Sequence, residues 1–312
     1  MIEARASKSF ASGEAEVLEA ASPNEPAANL AVTLSDFAKP SPLVWLNLVC
    51  LDAPLVAVSW QWLFSHAFGI PIARGGMAAL FLTAWFIYLA DRFGDSLSIN
   101  FAGATSLRQR FCLQHHALWL TAIGVIGLAD AFVILTRLGS ATFRSGAVVG
   151  LLAFGYLALN QATPGLWRRA PLKEIAIGFL FAGGTLVAFP RGLSGVTWLT
   201  WLLFACVCSL NCICIAVWER ELDLAQARVT MATAFPRIAR ALLPALALVA
   251  CSSAVFAIAM KDERSVFVCL TVSAGLLAAL HLSNDRMQTD TRTALADLVL
   301  LTPMLLLLQR AF

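Results

Sequence analysis

Long apolar runs of about 20 residues recur along most of the chain, separated by short segments that hold most of the charged residues. A helix needs roughly 20 apolar residues to cross a bilayer, and the runs lack the strict alternation of barrel strands. The pattern therefore predicts an all-α, multi-pass transmembrane bundle. Nine helices are predicted, at about 42–64, 71–91, 116–137, 144–162, 172–190, 196–218, 239–260, 265–282 and 293–309. The fourth and last runs have open ends, and a different placement of those ends gives eight helices.

Composition supports the membrane assignment. Of 312 residues, 59% are hydrophobic and only 13% are charged, and the mean hydropathy is +0.77. An ordinary soluble domain carries about twice that share of charge. The net charge of +3 is spread over loops and indicates no nucleic-acid surface.

The first 40 residues differ from the rest of the chain. They are rich in Ala, Ser, Pro, Asn and acidic residues and contain no apolar stretch long enough for a signal-peptide core. We therefore predict a disordered cytoplasmic tail over 1–40 and a transmembrane domain over 41–312.

Lysine and arginine positions indicate the orientation, since cytoplasmic loops carry an excess of positive charge. With nine spans and the N-terminus inside, one side of the membrane receives 15 of the 22 basic residues. We therefore expect a multi-pass protein of a bacterial plasma membrane with a cytoplasmic N-terminus. The eight cysteines fall mostly inside spans without the spacing of a zinc site, and we interpret them as small packing residues.

Two acidic pairs with the same spacing carry the candidate chemistry. Asp91 and Asp95 end the second predicted span, and Glu219 and Asp223 end the sixth. Residues at i and i+4 share one face of a helix, so the carboxylates of each pair should be neighbours. Because like charges repel, each pair calls for a cation, and Mg²⁺ takes one or two carboxylates together with water and phosphate oxygens. Taken alone, either pair is also compatible with an ordinary charged helix end.

Basic residues follow both pairs on the same predicted side of the membrane. Guanidinium and ammonium groups beside Mg²⁺ suit a diphosphate ligand, although positive-inside topology alone would also place basic residues there. The predicted phosphate-binding residues are Arg108, Arg110, Arg168 and Lys173. Three further basic residues follow the second pair without an assigned role: Arg228, Arg237 and Arg240.

Polar residues inside the spans extend the candidate site. Asn211 lies two turns before Glu219 on the same helical row, and Tyr88 lies one turn before Asp91. Both are predicted to contact substrate near the reacting carbon, although helix-to-helix hydrogen bonding is an alternative role. Asp52, Asp130 and Asp297 also fall inside spans, where a proton-coupled transporter would use them.

With these residues in view, the chain after the tail resembles the UbiA superfamily of intramembrane prenyltransferases. Asp91-x-x-x-Asp95 is similar to the distal part of the family's first acidic motif, and Glu219-x-x-x-Asp223 is similar to its second, with Glu in place of the leading Asp. Lys173 falls where the family often has a basic residue opening the fifth span.

The chain also departs from the family pattern. Ile87-Tyr88 stand where the first motif usually begins with Asn-Asp, and the upstream acid of the second motif is replaced by the region of Asn211 and Cys212. The resemblance is thus to a divergent branch with fewer carboxylates.

The resemblance implies Mg²⁺-dependent transfer of an isoprenoid chain from a prenyl diphosphate to an aromatic or other lipophilic acceptor within the membrane. Two alternatives remain from the residues themselves. One is a terpene cyclase that ionises the same diphosphate without an acceptor, and the other is a non-catalytic transporter or lipid-binding protein.

Overall fold

A computed structural model describes residues 42–99, 105–162, 172–189, 193–283 and 287–311. The predicted tail over 1–40 lies outside these ranges. The described residues form 14 α-helices and one 3-10 helix, and they contain no strand. In chain order the helices are α1 Pro42–Leu48, α2 Asp52–Ala67, α3 Arg74–Leu97, α4 Leu107–Gln114, α5 His116–Arg137, α6 Ser140–Ala162, α7 Lys173–Leu186, α8 Gly195–Trp218, α9 Arg220–Ala225, α10 Met231–Ala234, α11 Ile238–Ala259, α12 Arg264–Leu282, α13 Thr289–Leu298 and α14 Thr302–Ala311, with the 3-10 helix Val299–Leu301 between the last two.

Among the described residues, six helices are long and apolar enough to cross a membrane, and the number is seven if α1 and α2 together form one bent span. The six are α3, α5, α6, α8, α11 and α12. The all-α class is thereby confirmed for the described residues, and the length and composition of these helices support an integral membrane protein, whereas the count of nine spans stays a prediction. Helix α7, the fifth predicted span, has only 14 residues, and the ninth predicted span is divided.

The first predicted span is bent by 90° between α1 and α2. Cys50, between the two helices, has a φ of +57°, a left-handed conformation that ends a helix. The backbone N–H of Leu51 turns back to the carbonyl of Leu46 at 2.9 Å. Pro54 sits in the first turn of α2, where a missing N–H costs nothing. The polar residues Asn47 and Asp52 flank this turn, but no glycine marks it.

The last predicted span is broken by a 3-10 turn before Pro303. Proline is favoured in the first turn of a helix, where its fixed φ is already helical, and Pro303 is the second residue of α14. The chain therefore starts a new helix at Thr302 instead of continuing α13.

Helix α8 lies at the centre of the bundle. In its most apolar stretch of 18 residues, 56% of the residues are buried, whereas the corresponding share in α6 is 6%. Around it, Trp60 of α2 stacks on Phe204 of α8 with ring centroids 4.2 Å apart. The Trp60 Nε1 donates to the carbonyl of Leu300 at 2.8 Å. Outer helices expose large apolar side chains such as Leu128 and Leu151, which in a bilayer would face lipid.

Candidate functional site

The first acidic pair lies inside α3, which continues six residues beyond the end predicted for this span. Arg228 makes a two-point contact with Asp95: one guanidinium nitrogen lies 3.0 Å from the carboxylate and the other donates to the backbone carbonyl at 2.8 Å. Asp91 interacts electrostatically with Lys173 and Arg228. Its Oδ1 is buried and has no hydrogen-bond partner among the described residues. Asp91 therefore retains an oxygen for a further ligand.

The second acidic pair lies at the junction of α8 and α9. The backbone N–H of Asp223 donates to the carbonyl of Glu219 at 2.9 Å, so the predicted i, i+4 relation holds although α8 ends at Trp218. Glu219 Oε1 accepts from the Arg108 guanidinium and, at 3.2 Å, from the Thr293 hydroxyl. A capping box of Ser106 and Gln109 starts α4 and fixes the helix that carries Arg108.

Asp223 is the most deeply buried acid of the two pairs. Burial and the charge of Glu219 raise the pKa of its carboxyl to about 7, against the opposing influence of Arg228, Lys173 and a hydrogen bond with Thr230. A carboxyl in this environment ionises near neutral pH. A cation arriving at the cluster would favour its charged form.

Shared basic residues join the two pairs. Lys173, the first residue of α7, interacts electrostatically with both Asp91 and Asp223. Arg228 contacts Asp95 and interacts with the same two acids. We call the four carboxylates Asp91, Asp95, Glu219 and Asp223 the outer cluster. The fold thus brings together two pairs that are separated by more than 120 residues.

The outer cluster has the donor chemistry of an Mg²⁺ site. Within the described ranges, no group of three or more His, Cys, Asp or Glu side chains is close enough to hold a metal ion by itself. Mg²⁺ is commonly held by one or two carboxylates, with water and substrate phosphate supplying its other ligands. The unpartnered Asp91 oxygen and the neighbouring carboxylates fit that mode, and Mg²⁺ binding stays a prediction.

The four predicted phosphate ligands, Arg108, Arg110, Arg168 and Lys173, have different positions relative to the outer cluster. Arg108 and Lys173 lie at the outer cluster, as described above. The Arg110 Nε donates to the Thr105 hydroxyl at 2.7 Å, and its charge acts on Asp290, which also interacts with Arg108 and Glu219. Arg168 lies outside the described residues.

A second polar group lies about two helical turns deeper along α8. The Asn47 amide donates to Asp52 at 2.6 Å and to Asp297 at 3.1 Å. Asn211 donates from its own amide to the other oxygen of Asp297 at 2.9 Å. We call these four residues, Asn47, Asp52, Asn211 and Asp297, the inner cluster. Asp130, the third acid inside a span, is elsewhere and accepts from the Thr83 hydroxyl at 2.8 Å.

Tyr88 and Asn211, the predicted substrate contacts, are brought together. Both line a cavity of about 20 Å³, together with Asp297 and apolar residues of α2, α7 and α8. A volume of this size holds about one water molecule. The helix-to-helix hydrogen bond expected as the alternative role of Asn211 is therefore present, in its bond to Asp297.

Three residues near these clusters were not predicted as site residues. Arg228 was noted only as one of several basic residues, because its contact with Asp95 joins positions 133 residues apart. Glu174 is 4% exposed and caps α10 by accepting from the Met231 N–H at 3.1 Å; an acid in the first turn of an apolar helix was the available signal. Tyr156 interacts with Asp91 and Asp95, and the rarity of tyrosine, with only two in the chain, was the only clue.

No family model, curated protein or solved structure matches this chain.

Proposed function

We propose that the protein is an Mg²⁺-dependent intramembrane prenyltransferase, which moves an isoprenoid chain from a prenyl diphosphate to an aromatic or other lipophilic acceptor. One observation carries the proposal: Arg228 contacts acids of both pairs, Asp95 through its guanidinium at 3.0 Å and Asp223 through its backbone N–H, which donates to the Asp223 carbonyl at 2.8 Å. Lys173 also interacts electrostatically with Asp91 and Asp223. Mixed carboxylates and basic groups suit a metal-bound diphosphate, which needs both. The proposed setting is a bacterial plasma membrane, with the cluster on the cytoplasmic side.

The proposed roles follow from chemistry. Asp91, Asp95, Glu219 and Asp223 would hold Mg²⁺, which when bound supplies charge neutralisation for the diphosphate oxygens. Arg108, Arg228 and Lys173 add positive charge where negative charge develops on the leaving group.

The bond changes are those of an alkyl transfer. The bond between the first prenyl carbon and the diphosphate oxygen breaks, and its electron pair leaves with the diphosphate. A new bond forms from the acceptor to that carbon, and the acceptor then loses a proton. Apolar helices around the site would exclude the water that otherwise captures the allylic cation. Tyr88 and Asn211, deeper in the bundle, are proposed to lie near the reacting carbon, and Arg110 and Arg168 are proposed to aid diphosphate capture.

A terpene cyclase would share every step up to ionisation. A transferase requires an acceptor and a cyclase does not, so an acceptor requirement separates the two.

An ion-coupled transporter is a second candidate of another class, favoured by one observation. Asp52 and Asp297 of the inner cluster lie beside the breaks between α1 and α2 and between α13 and α14, and transporters build ion sites at such breaks.

The test is diphosphate release by purified protein in detergent with geranyl, farnesyl or geranylgeranyl diphosphate, with and without Mg²⁺. We expect Mg²⁺-dependent release that is lost in Asp91→Ala and Glu219→Ala. Asp130→Asn is the matched control, because it changes a buried carboxyl of α5 away from the cluster and should retain release. Product mass then distinguishes transfer from cyclisation.

Two results would reject the proposal. Release that persists in both cluster variants would exclude the outer cluster as the site of ionisation. No release with any donor, even with aromatic and lipid extracts supplied as acceptors, would leave transport as the better candidate.

A further inference from the structure

The inner cluster places two carboxylates close together in the apolar part of the bundle. One nitrogen of Asn47 lies 2.6 Å from an oxygen of Asp52 and 3.1 Å from an oxygen of Asp297. Asp52 is 1% exposed and begins α2, where its Oδ1 also accepts from the Ala53 N–H at 2.9 Å. Amide donors orient the two acids but add no positive charge to offset them.

The charges around the pair do not balance. Arg92 of α3 interacts with both carboxylates and donates to the backbone carbonyl of Asn47 at 3.4 Å. Arg108 also acts on Asp297, but it is the salt-bridge partner of Glu219. The other titratable groups that face the pair are Tyr88, Cys50, Cys208 and Cys212, which are neutral in their ordinary state. Two arginines, Arg92 and Arg108, therefore face three carboxylates, those of Asp52, Asp297 and Glu219, and one further positive charge would neutralise the group.

An independent feature points to where that charge would lie. Asn211 is 4% exposed, and its Oδ1 has no hydrogen-bond partner among the described residues. The bond from its amide nitrogen to Asp297 establishes which of its two terminal atoms is the oxygen. Asn211, Asp297 and Tyr88 all line the cavity of about 20 Å³. An amide oxygen, a carboxylate and a tyrosine thus surround a space of about one water molecule.

We propose that this cavity binds one monovalent cation of the Na⁺ class, held by the Asp297 carboxylate and the Asn211 amide oxygen beside Tyr88. Hard oxygen donors suit such an ion, and a single charge makes up the deficit. Mg²⁺ fits poorly, because it gives up its water ligands reluctantly and this space does not hold a hydrated ion. A proton on either carboxyl would correct the charge but would leave the Asn211 oxygen without a partner. The inference does not depend on prenyl transfer.

The location agrees with how membrane proteins bind small cations. Chain breaks within membrane-spanning regions direct backbone carbonyls and side-chain oxygens into the bundle instead of along a helix. Both Asp52 and Asp297 flank such breaks, one at Cys50 and the other at the 3-10 turn Val299–Leu301.

The experiment measures Na⁺ binding directly and through stability. Full-length protein purified in detergent without Na⁺ is titrated with ²²Na⁺ in equilibrium dialysis, with choline chloride holding the ionic strength constant. Thermal unfolding is followed in parallel by tryptophan fluorescence. We expect about one Na⁺ per chain and a saturable rise in Tm, because a ligand of the folded state stabilises it.

Variants locate the site. Asp297→Asn and Asn211→Leu should lose the Na⁺-dependent rise in Tm, whereas Asp130→Asn, which alters another buried carboxyl, should retain it. Gel filtration and circular dichroism show whether each variant is folded, and if neither cluster variant folds, the dialysis of unaltered protein decides. Absence of bound Na⁺ would overturn the proposal, as would a rise that persists in folded Asp297→Asn and Asn211→Leu. Stability that responds to pH and not to Na⁺ would identify a proton as the occupant instead.

Discussion

The outer and inner clusters lie along one helix, α8, with Glu219 at its C-terminal end and Asn211 within it, but they compensate their carboxylates in different ways. In the outer cluster, Asp95 and Glu219 each have an arginine partner, and the side chains of those two salt bridges are 11–29% exposed. In the inner cluster, Asp52 and Asp297 are oriented by Asn47 and Asn211. Partly exposed ion pairs contribute little stability, whereas the acids of the inner cluster, which have amide partners and little or no contact with solvent, depend on each hydrogen bond.

The outer cluster is suited to binding a large substrate, and the inner cluster is suited to stabilising the fold. In the proposed function, a diphosphate replaces the carboxylates as the partner of the outer-cluster arginines, and a metal ion binds the carboxylates in their place. The inner cluster connects α1, α2, α8 and α13, so its hydrogen bonds stabilise the arrangement of the bundle. Substitutions should therefore separate stability from substrate binding.

The largest expected effect on stability comes from Asn47→Leu. Asn47 is 2% exposed, and its loss removes a donor from the buried Asp52 and the partly buried Asp297 at once. We expect a destabilisation of about 3 kcal/mol, since each buried group left without its partner costs roughly 1–3 kcal/mol. Thermal unfolding by tryptophan fluorescence measures the change.

Thr83→Val is the matched comparison for this prediction, because it removes the one hydroxyl donor that Asp130 has among the described contacts. We expect about 1–2 kcal/mol of destabilisation there. If Asn47→Leu lost no more stability than Thr83→Val, the inner cluster would not have the special structural role assigned to it.

Gly178→Ala should have the next largest effect, since it alters the packing beside the inner cluster and leaves every charge unchanged. A Cβ at Gly178 of α7 would overlap Ser209 of α8, with the Ser209 Cα only 2.7 Å away. Separating two closely packed helices costs about 1–3 kcal/mol. The readout is the fall in Tm.

Gly183→Ala tests the same helix without the clash, because a Cβ at this position has no neighbour within 4 Å. Replacing glycine by alanine inside a helix gains up to ~1 kcal/mol, so this variant should be as stable as the natural chain or more so. Equal destabilisation by both substitutions would attribute the effect to α7 itself and not to its contact with α8.

The pH dependence of stability is expected to be smaller and belongs to the outer cluster. The pKa of Asp223 is raised from 3.8 to about 7, first by burial and then by Glu219. The folded state thus holds the proton more tightly than the unfolded chain. The contribution to the free energy of unfolding is full below about pH 4, declines as pH rises toward 7 and is lost above it.

Asp223→Asn should remove this part of the pH dependence, measured as the difference in Tm between pH 5 and pH 8. Mg²⁺ should reduce the decline in the unaltered protein, because a metal ion requires the ionised carboxyl. A profile unchanged by Asp223→Asn would assign the pH dependence to other groups.

Local features of the fold could be predicted from the sequence. The span 116–137 was predicted with the bounds that α5 has, since one apolar run forms one straight helix. The i, i+4 spacing correctly predicted the relation of Glu219 to Asp223 across the α8 end. The bend at Cys50 was missed, because a left-handed residue without glycine leaves no mark in the hydrophobic pattern.

Long-range contacts could not be predicted from one sequence. Asn47 reaches Asp297 across 250 positions, and periodicity carries no information on such pairs. Asp52 and Asp297 were each identified as acids inside spans, but their proximity depends on how α1, α2 and α13 pack. Arg228 and Tyr156 were overlooked as site residues for the same reason.

The smallest expected loss of stability is that of Arg228→Ala, which is expected to affect diphosphate release far more than folding. Its salt bridge to Asp95 joins side chains that are 24% and 29% exposed, so the loss of stability should be about 1 kcal/mol or less. In the proposed function the same change removes a positive charge that faces acids of both pairs, so diphosphate release should fall at least 10-fold, as a loss of about 1.4 kcal/mol in the transition state would produce. Arg228→Lys keeps the charge but not the two-point contact with Asp95 and should retain more release than Arg228→Ala. A large drop in Tm with little change in release would reverse the assignment and make Arg228 a structural residue.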